Sequence, residues 1–342
     1  MFKEYLEQLV EKRQIPGAVL YISKNNETKF FQAYGSFTDK NNQRQIIHRE
    51  TIFDVASLTK IMATLPSVLL LASRKEIDLD QSLQSFFPES KSRSITIHHL
   101  LQHTSGLPAD LFFQDRMKSR DVLKEIFQTE LVQIPGTVTL YSDLGMILLG
   151  KVVEKVTGEP LNHFTKEQIF KPWQLNDTTY LLSNEKKQLA ASTEWYKNHY
   201  IQGDVHDEKA YQMNGVSGSA GVFSTAKDVA TFASHWLYPE EQAVIPPSYL
   251  RSATIHQQNN RGLGFEVWSG SGEISSISHL WPIGTFGHTG FTGTSVWICP
   301  TEQLVVVLLT NAVHFGRNTM IRSIRKKLHE LVYSAYMKES QQ

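Results

Sequence analysis

The sequence predicts an α+β fold, an α/β sandwich. An antiparallel sheet is formed from both chain termini and flanked by terminal helices, with an inserted, mainly helical subdomain. Three observations carry this reading. Strand-like runs rich in Val, Ile, Phe and Trp cluster near the two ends of the chain. Amphipathic helical patterns open and close it, and apolar helical patterns fill the middle. At 342 residues the chain can bury a sizeable core as one domain. Its α/β part is expected at 1–56 and 262–338, and its mainly helical part at 57–261.

Each element has a local cause. Phe2, Tyr5, Leu6, Leu9 and Val10 share one helical face, so a first helix is expected to end before Pro16-Gly17. Ala18–Ser23 and Lys29–Tyr34 read as strands around the turn Lys24-Asn25-Asn26-Glu27. Thr51–Ser73 is mostly apolar and is expected to be helical. Thr96–His103 reads as a short helix with Thr96 as N-cap and Gly106 soon after its end. Leu144–Val156 is apolar and helical, closed by Gly158. Thr225 to Asp228 is a capping-box-like start for a helix through His235. Gly264–Trp268, Thr285–His288, Thr294–Ile298 and Leu304–Thr310 read as strands. The last helix, Asn318–Met337, carries an apolar stripe of Ile321, Ile324, Leu328, Leu331 and Ala335. Its Arg322, Arg325, Lys326 and Lys327 are expected on a solvated face.

Composition removes several function classes. Lys+Arg and Asp+Glu are both 34, so the chain lacks the basic excess of a nucleic-acid binder. The single cysteine, Cys299, leaves no internal disulfide and no Cys-rich metal site; a structural role is expected for it. Glu4, Glu7 and Glu11 interrupt the N-terminal apolar residues, so no leader is visible. The chain as given is expected in the cytoplasm, or exported where a leader has been removed. The longest strongly apolar run, Ile61–Ser73, has 13 residues and contains Pro66, so no membrane span is expected.

Three short patterns can carry chemistry. In Ser57-Leu58-Thr59-Lys60, a helix would place the lysine amine on the same face as the serine hydroxyl. Serine becomes a nucleophile only when a base takes its proton, and a desolvated lysine can lose its own proton and serve as that base. Ser-x-x-Lys also occurs at Ser183, Ser224 and Ser323, but only Ser57 opens a mainly apolar helix. Tyr141-Ser142-Asp143 precedes the apolar helix at 144, where Tyr141 could relay protons or simply fill space beside an N-cap. A second Tyr-x-Asn stands at Tyr196-Lys197-Asn198. His288-Thr289-Gly290 ends one strand and turns into the next, where a glycine allows close backbone approach to a ligand. A plain turn with a structural histidine reads equally well there.

Taken together and in this order, these patterns resemble the signature of the serine penicillin-recognising enzymes. The separations of 84 residues (57 to 141) and 147 residues (141 to 288) suit the branch of class C β-lactamases, D-alanyl-D-alanine carboxypeptidases and related esterases. Thr96–Pro108, Gly203–Asp207, Gly215–Ala226 and Gly284–Pro300 extend the resemblance to about residues 10 to 335. It implies a serine hydrolase with an acyl-Ser57 intermediate. Lys60 and Tyr141 would share the proton transfers, and the N–H groups of Ser57 and Phe291 would form an oxyanion hole. Asp143, His288, Thr289 and Gly290 would contact the substrate. Neither metal nor cofactor is implied. The expected partner is a small-molecule or short-peptide substrate, with β-lactams included.

Two positions depart from the family pattern. Asp143 stands where lactam-handling members usually carry Asn, and an ionised Asp can only accept hydrogen bonds. This favours an esterase or peptidase acting on a small ester or peptide-like amide over an efficient β-lactamase. A penicillin-binding D-alanyl-D-alanine carboxypeptidase, a weak β-lactamase and an acyl-binding sensor that does not turn over are the alternatives. His288 stands in place of Lys and is expected to titrate near neutrality. His206-Asp207 is expected to brace the glycine-rich loop at 214–221. His99 and His103 fall on one helical face in an i,i+4 spacing that zinc accepts, but a structural role is expected for them and for His98.

Overall fold

The computed structural model describes residues 1–90, 94–274 and 276–339. A helix at Phe2–Glu11 leads into strands β1 (Gly17–Lys24), β2 (Glu27–Thr38) and β3 (Arg44–Ile46). Asn25 and Asn26, at φ 54° and 60°, make the tight turn between β1 and β2. Two residues at positive φ are what a twisted two-residue hairpin turn requires, and asparagine tolerates them. Two short pairings follow within the helical region. They join β4 (Phe53–Asp54) to β7 (Phe223–Ser224), and β5 (Trp195–Tyr196) to β6 (His199–Tyr200). Strands β8 (Glu266–Val267), β9 (Phe286–Thr289), β10 (Ser295–Cys299) and β11 (Leu304–Thr310) complete the main sheet.

That sheet has seven strands in the order β3-β2-β1-β11-β10-β9-β8, and its paired neighbours are antiparallel. The first and last strands of the chain, β1 and β11, lie side by side at its centre, with Ala18 opposite Thr310 and Lys24 opposite Leu304. Every residue of β11 is buried, and its alternation serves two cores. Val305, Val307 and Leu309 face a core shared with Leu65, Val68, Leu148 and Phe232 of the helical part. Leu304, Val306 and Leu308 face a smaller core shared with Leu6, Leu9, Ile324 and Leu328 of the two terminal helices. The α+β architecture predicted from the sequence is the one observed, with Cys299 buried in this second core.

Several elements differ from expectation. Thr51–Ser73 opens as the short strand β4, not as a helix. A single 3-10 turn at Ala56–Leu58, a wide π-helical turn at Lys60–Thr64 and an α-helix at Leu65–Ser73 follow. Pairing of Phe53 and Asp54 with Phe223 and Ser224 overrides local helix propensity. The stretch Ala56–Ser73 is long and apolar enough for a membrane span by length and composition, yet 89% of it is buried inside the fold. The helix after Thr96 ends at Leu101, because His103 takes φ 57°. Strand structure in Gly264–Trp268 is confined to Glu266–Val267, since Gly264 takes φ 72°. Gly158 closes the helix Asp143–Thr157 in the left-handed conformation, as expected. The Thr225 cap bonds the Asp228 N–H, but the Asp228 carboxylate turns away to the Asp177 N–H and the Thr178 hydroxyl.

Candidate active site

The 3-10 turn at Ala56–Leu58 presents Ser57 at the floor of a cleft of about 880 Å³. Lys60, fully buried, donates from Nζ to Ser57 Oγ at 2.7 Å and to the Ser219 carbonyl at 2.9 Å. The expected serine–lysine contact is therefore present. The other three Ser-x-x-Lys serines are engaged elsewhere. Ser183 caps a short helix, Ser224 shares a hydrogen bond with Thr178, and Ser323 donates to the Met320 carbonyl. Tyr196 sits on the small hairpin and donates to Asp115.

Tyr141 faces two cations, the Lys60 ammonium and the Arg261 guanidinium, each 5.1 Å from its ring centre. Asp143 Oδ1 lies 2.8 Å from Lys60 Nζ, an ion pair rather than a well-angled hydrogen bond, and Asp143 keeps a fifth of its side-chain surface at the cleft. Lys209 stands on the far side of Asp143, with its Nζ 3.6 Å from Asp143 Oδ2. It also pairs with Asp110 at 2.9 Å and Asp207 at 3.0 Å. Burial opposes charge on Lys60, but Asp143 and Tyr141 beside it outweigh burial and hold the ammonium above its ordinary range. Burial likewise opposes ionisation of Asp143, and Lys60 with Lys209 outweighs it, so the carboxyl sits below its ordinary range. The neighbours of Lys60 thus favour its ammonium form, opposite to the lowering that burial alone would give.

His288 is buried at the end of β9, and its ring lies 5.8 Å from that of Tyr141. Its Nδ1–H donates to the Thr289 carbonyl at 2.7 Å. Burial first, then Lys60 and Arg261, push its titration well below the ordinary histidine value. The expected titration near neutrality is therefore corrected: the ring is neutral across that range, and its Nε2 is an acceptor with no partner among the described residues. His103, also buried, accepts the Ser142 N–H on Nδ1 and packs its ring 4.6 Å from Tyr141. His99 is drawn off to the Thr96 end of its helix, so His99 and His103 share no ligand face. Among the described residues, no group of three His, Cys, Asp or Glu side chains is placed to hold a metal ion.

The turn after β9 approaches the serine closely. A Cβ on Gly290 would stand 2.4 Å from the Val55 carbonyl, so only glycine fits. Thr292 and Thr294 donate to the carbonyls of Asp54 and Val55. Among the described residues, the backbone N–H groups of Ser57 and Phe291 donate to no protein acceptor. The expectation of a solvated basic face on the last helix fails for Arg325. That side chain is buried, and it donates to the carbonyls of Gly290, Gly293 and Thr294, fixing this turn.

His206 and Asp207 do not brace the glycine-rich loop as expected. The His206 N–H donates to buried Asp54, whose other oxygen accepts the Ala56 N–H beside Ser57. The His206 ring stacks on Phe291 at 5.7 Å and pairs with Glu194. Asp207 caps the helix Glu208–Gln212 and pairs with Lys209. The glycine-rich loop instead packs on the lysine turn, where the Gly218 carbonyl accepts from Thr64 and the Ser219 carbonyl from Lys60. Asp54, Lys209 and Arg261 belong to the site without any signal in a linear motif. Phe112 and Phe113, 96% and 73% exposed, stand at the cleft mouth.

The family model described as Beta-lactamase matches residues 2–329. The chain belongs to the β-lactamase family. It is similar to an N-acetylmuramyl-L-alanine amidase of Bacillus subtilis (strain 168), at 32% identity over 90% of this chain and 80% of that protein. It is similar to a putative D-alanyl-D-alanine carboxypeptidase of Escherichia coli (strain K12), at 30% identity over 87% of this chain and 79% of that protein. Among solved structures, EstCE1, a hydrolase with promiscuous acyltransferase activity, superposes with a TM-score of 0.74 at 21% identity. That likeness covers 94% of this chain and 97% of EstCE1 and bears on the fold. This chain is accordingly a β-lactamase-family hydrolase with the α+β fold of that family.

Proposed function

We propose that the protein is a serine hydrolase that cleaves a small ester or peptide-like amide through an acyl-Ser57 intermediate. One observation carries this reading: the 2.7 Å contact between Lys60 Nζ and Ser57 Oγ at the floor of an open cleft, with Tyr141 beside the same ammonium. An amide is favoured over an ester because relatives at 30–32% identity are named for amidase and carboxypeptidase activities. An N-acyl amino acid of cell-wall type is the substrate class that joins those two names.

Chemically, the charge on Lys60 assigns the roles. An ammonium has no lone pair and cannot take the serine proton. The phenolate form of Tyr141 is the one that accepts the proton from Ser57 Oγ, with Lys60 and Arg261 beside it to counter its charge. Ser57 Oγ bonds to the substrate carbonyl carbon, and the carbonyl oxygen becomes an oxyanion held by the N–H groups of Ser57 and Phe291. Each such donor contributes on the order of 10²–10³ in rate. Collapse breaks the carbon–nitrogen bond, and Tyr141 returns the proton to the leaving amine. Water then cleaves the ester by the reverse sequence of proton transfers, releasing the acid and restoring Ser57.

Intact-protein mass after incubation with a penicillin, an activated short-chain ester and an N-acyl-alanine tests the reading. A serine adduct or turnover in the wild-type protein, lost in Ser57→Ala with unchanged circular dichroism, is expected. Adducts or turnover that persist in Ser57→Ala would sink it.

A further inference from the structure

We infer that Lys209 is a positioning residue for the Ser57–Lys60 pair, and that by sharing Asp143 with Lys60 it sets the pH at which Ser57 becomes acylated. The inference rests on the acyl-Ser57 reading above. Its basis is a continuous line of contacts. Ser57 Oγ meets Lys60 Nζ at 2.7 Å, Lys60 meets Asp143 Oδ1 at 2.8 Å, and Asp143 Oδ2 meets Lys209 Nζ at 3.6 Å. Lys209 shows only 6% of its side chain to solvent, so these interactions are weakly screened.

The local charge count explains why the lysine is needed. Lys209 touches Asp110, Asp143 and Asp207 at once. With Lys60, two ammonium groups face three carboxylates. Without Lys209, one ammonium would face all three. The other charges nearby do not replace it. Arg120 points its field at Asp110 and Asp207 but is paired with Glu125. Arg261 stands over Tyr141 and pairs with Glu266. His103 and His288 are neutral, His206 is held by Glu194, and Glu208 is paired with Arg317. Asp54 is spent on the Ala56 and His206 N–H groups.

Removing a cation from beside an anion that touches Lys60 makes the surroundings of Lys60 and Tyr141 more negative. Protons in the site are then held more tightly. The group that must be deprotonated to accept the serine proton reaches that state at higher pH. The acid limb of acylation therefore moves to higher pH. A lysine that merely held the helix Glu208–Gln212 in place would lower the rate equally at every pH.

The test is the rate of labelling by an alkyl fluorophosphonate, followed by intact mass from acid to alkaline pH. In that reaction the Oγ–P bond forms, the P–F bond breaks, and the serine proton leaves to the site's base. In K209M the acid limb is expected to move up by about one pH unit. K209R keeps the charge and is expected to hold the limb near its wild-type position. K209M/D143N loses one cation and one anion together, and its limb is expected to return toward wild type. Should K209M fail to fold, K209Q, which keeps a polar head among the carboxylates but no charge, supplies the comparison, with its limb expected to move up in the same way. A limb unmoved in K209M, or in K209Q, overturns the inference while leaving the acyl-serine reading intact. Absence of Ser57 labelling in the wild-type protein overturns both.

Discussion

The guanidinium of Arg325, on the last helix, donates to the carbonyl of Gly290, in the turn that follows His288-Thr289. The same side chain also reaches Gly293 and Thr294, and it has no carboxylate partner in the contacts that hold it. Its charge is neutralised by carbonyl dipoles, which makes the turn at 290–294 its ligand.

Arg325→Met should therefore strike the site from outside the cleft. Three carbonyls lose a charged donor in a buried place, at a stability cost of about 2–4 kcal/mol. The Phe291 N–H loses its support, and acylation should slow by about 10²-fold, the scale of one oxyanion donor. Denaturant unfolding and labelling rates check the two effects. Labelling at the wild-type rate would remove Arg325 from the account of the site.

Gly290→Ala tests the same turn from within. The added methyl would meet Thr294 Oγ1 at 2.2 Å and the Val55 carbonyl at 2.4 Å. The Thr294 hydroxyl is a side-chain atom held by the Val55 carbonyl, and that carbonyl is backbone two residues from Ser57, so it cannot yield without moving the serine turn. Loss of acylation with retained circular dichroism is expected, and an active Ala variant would show that the approach is looser than drawn.

Asp143→Asn removes the anion beside Lys60. The ammonium then loses the partner that keeps it above its ordinary range, so its proton is released at lower pH. Asparagine also supplies an N–H that can donate to an acyl-side carbonyl. Penicillin acylation should rise, with its acid limb displaced to lower pH, as read from adduct formation by mass. Unchanged adduct rates would mean that position 143 does not face the acyl group.

Two buried histidines away from the site control acid stability. Burial pushes both His314 and His329 down to about 4, from 6.5. His314 accepts the Thr38 N–H, and His329 donates to the Ser276 carbonyl. Because the folded values lie below the unfolded one, their contribution is full above about pH 6.5 and is lost as pH falls toward 4. Each should account for a loss of about 3 kcal/mol across that window. Urea midpoints for His314→Gln and His329→Gln should show an acid slope shallower by about one proton each. An unchanged slope would mean that these rings are already protonated in the fold.

How much of this was legible follows from which forces are local. Ser57, Lys60, Tyr141 and His288 stand in short patterns whose spacing reflects one turn of chain, and the structure places all four at one cleft. Lys209, Asp54 and Arg261 have no such pattern, because their partners lie far away in sequence. Arg325 was readable in part. It lies four residues after Ile321 and three before Leu328, on the edge of the apolar stripe, but its adjacency to Lys326 and Lys327 suggested solvent. The charge state of Lys60 depends on Asp143 across the cleft, and that of His288 on burial. Neither is a property of a residue and its neighbours in sequence. Thr51–Ser73 misled for a related reason, since β4 exists only by virtue of β7, about 170 residues later.

The adjacency of β1 and β11 also fixes when activity can begin. During synthesis the serine turn leaves the ribosome well before β11, the neighbour for which β1 must wait. The turn that carries Phe291 is complete only after residue 294, and its clamp, Arg325, arrives later still. A ribosome-bound chain that stops short of the last helix holds Ser57 and Lys60 without the parts that would let them react. On the acyl-Ser57 reading, newly made copies stay silent until the helix that carries Arg325 has been made.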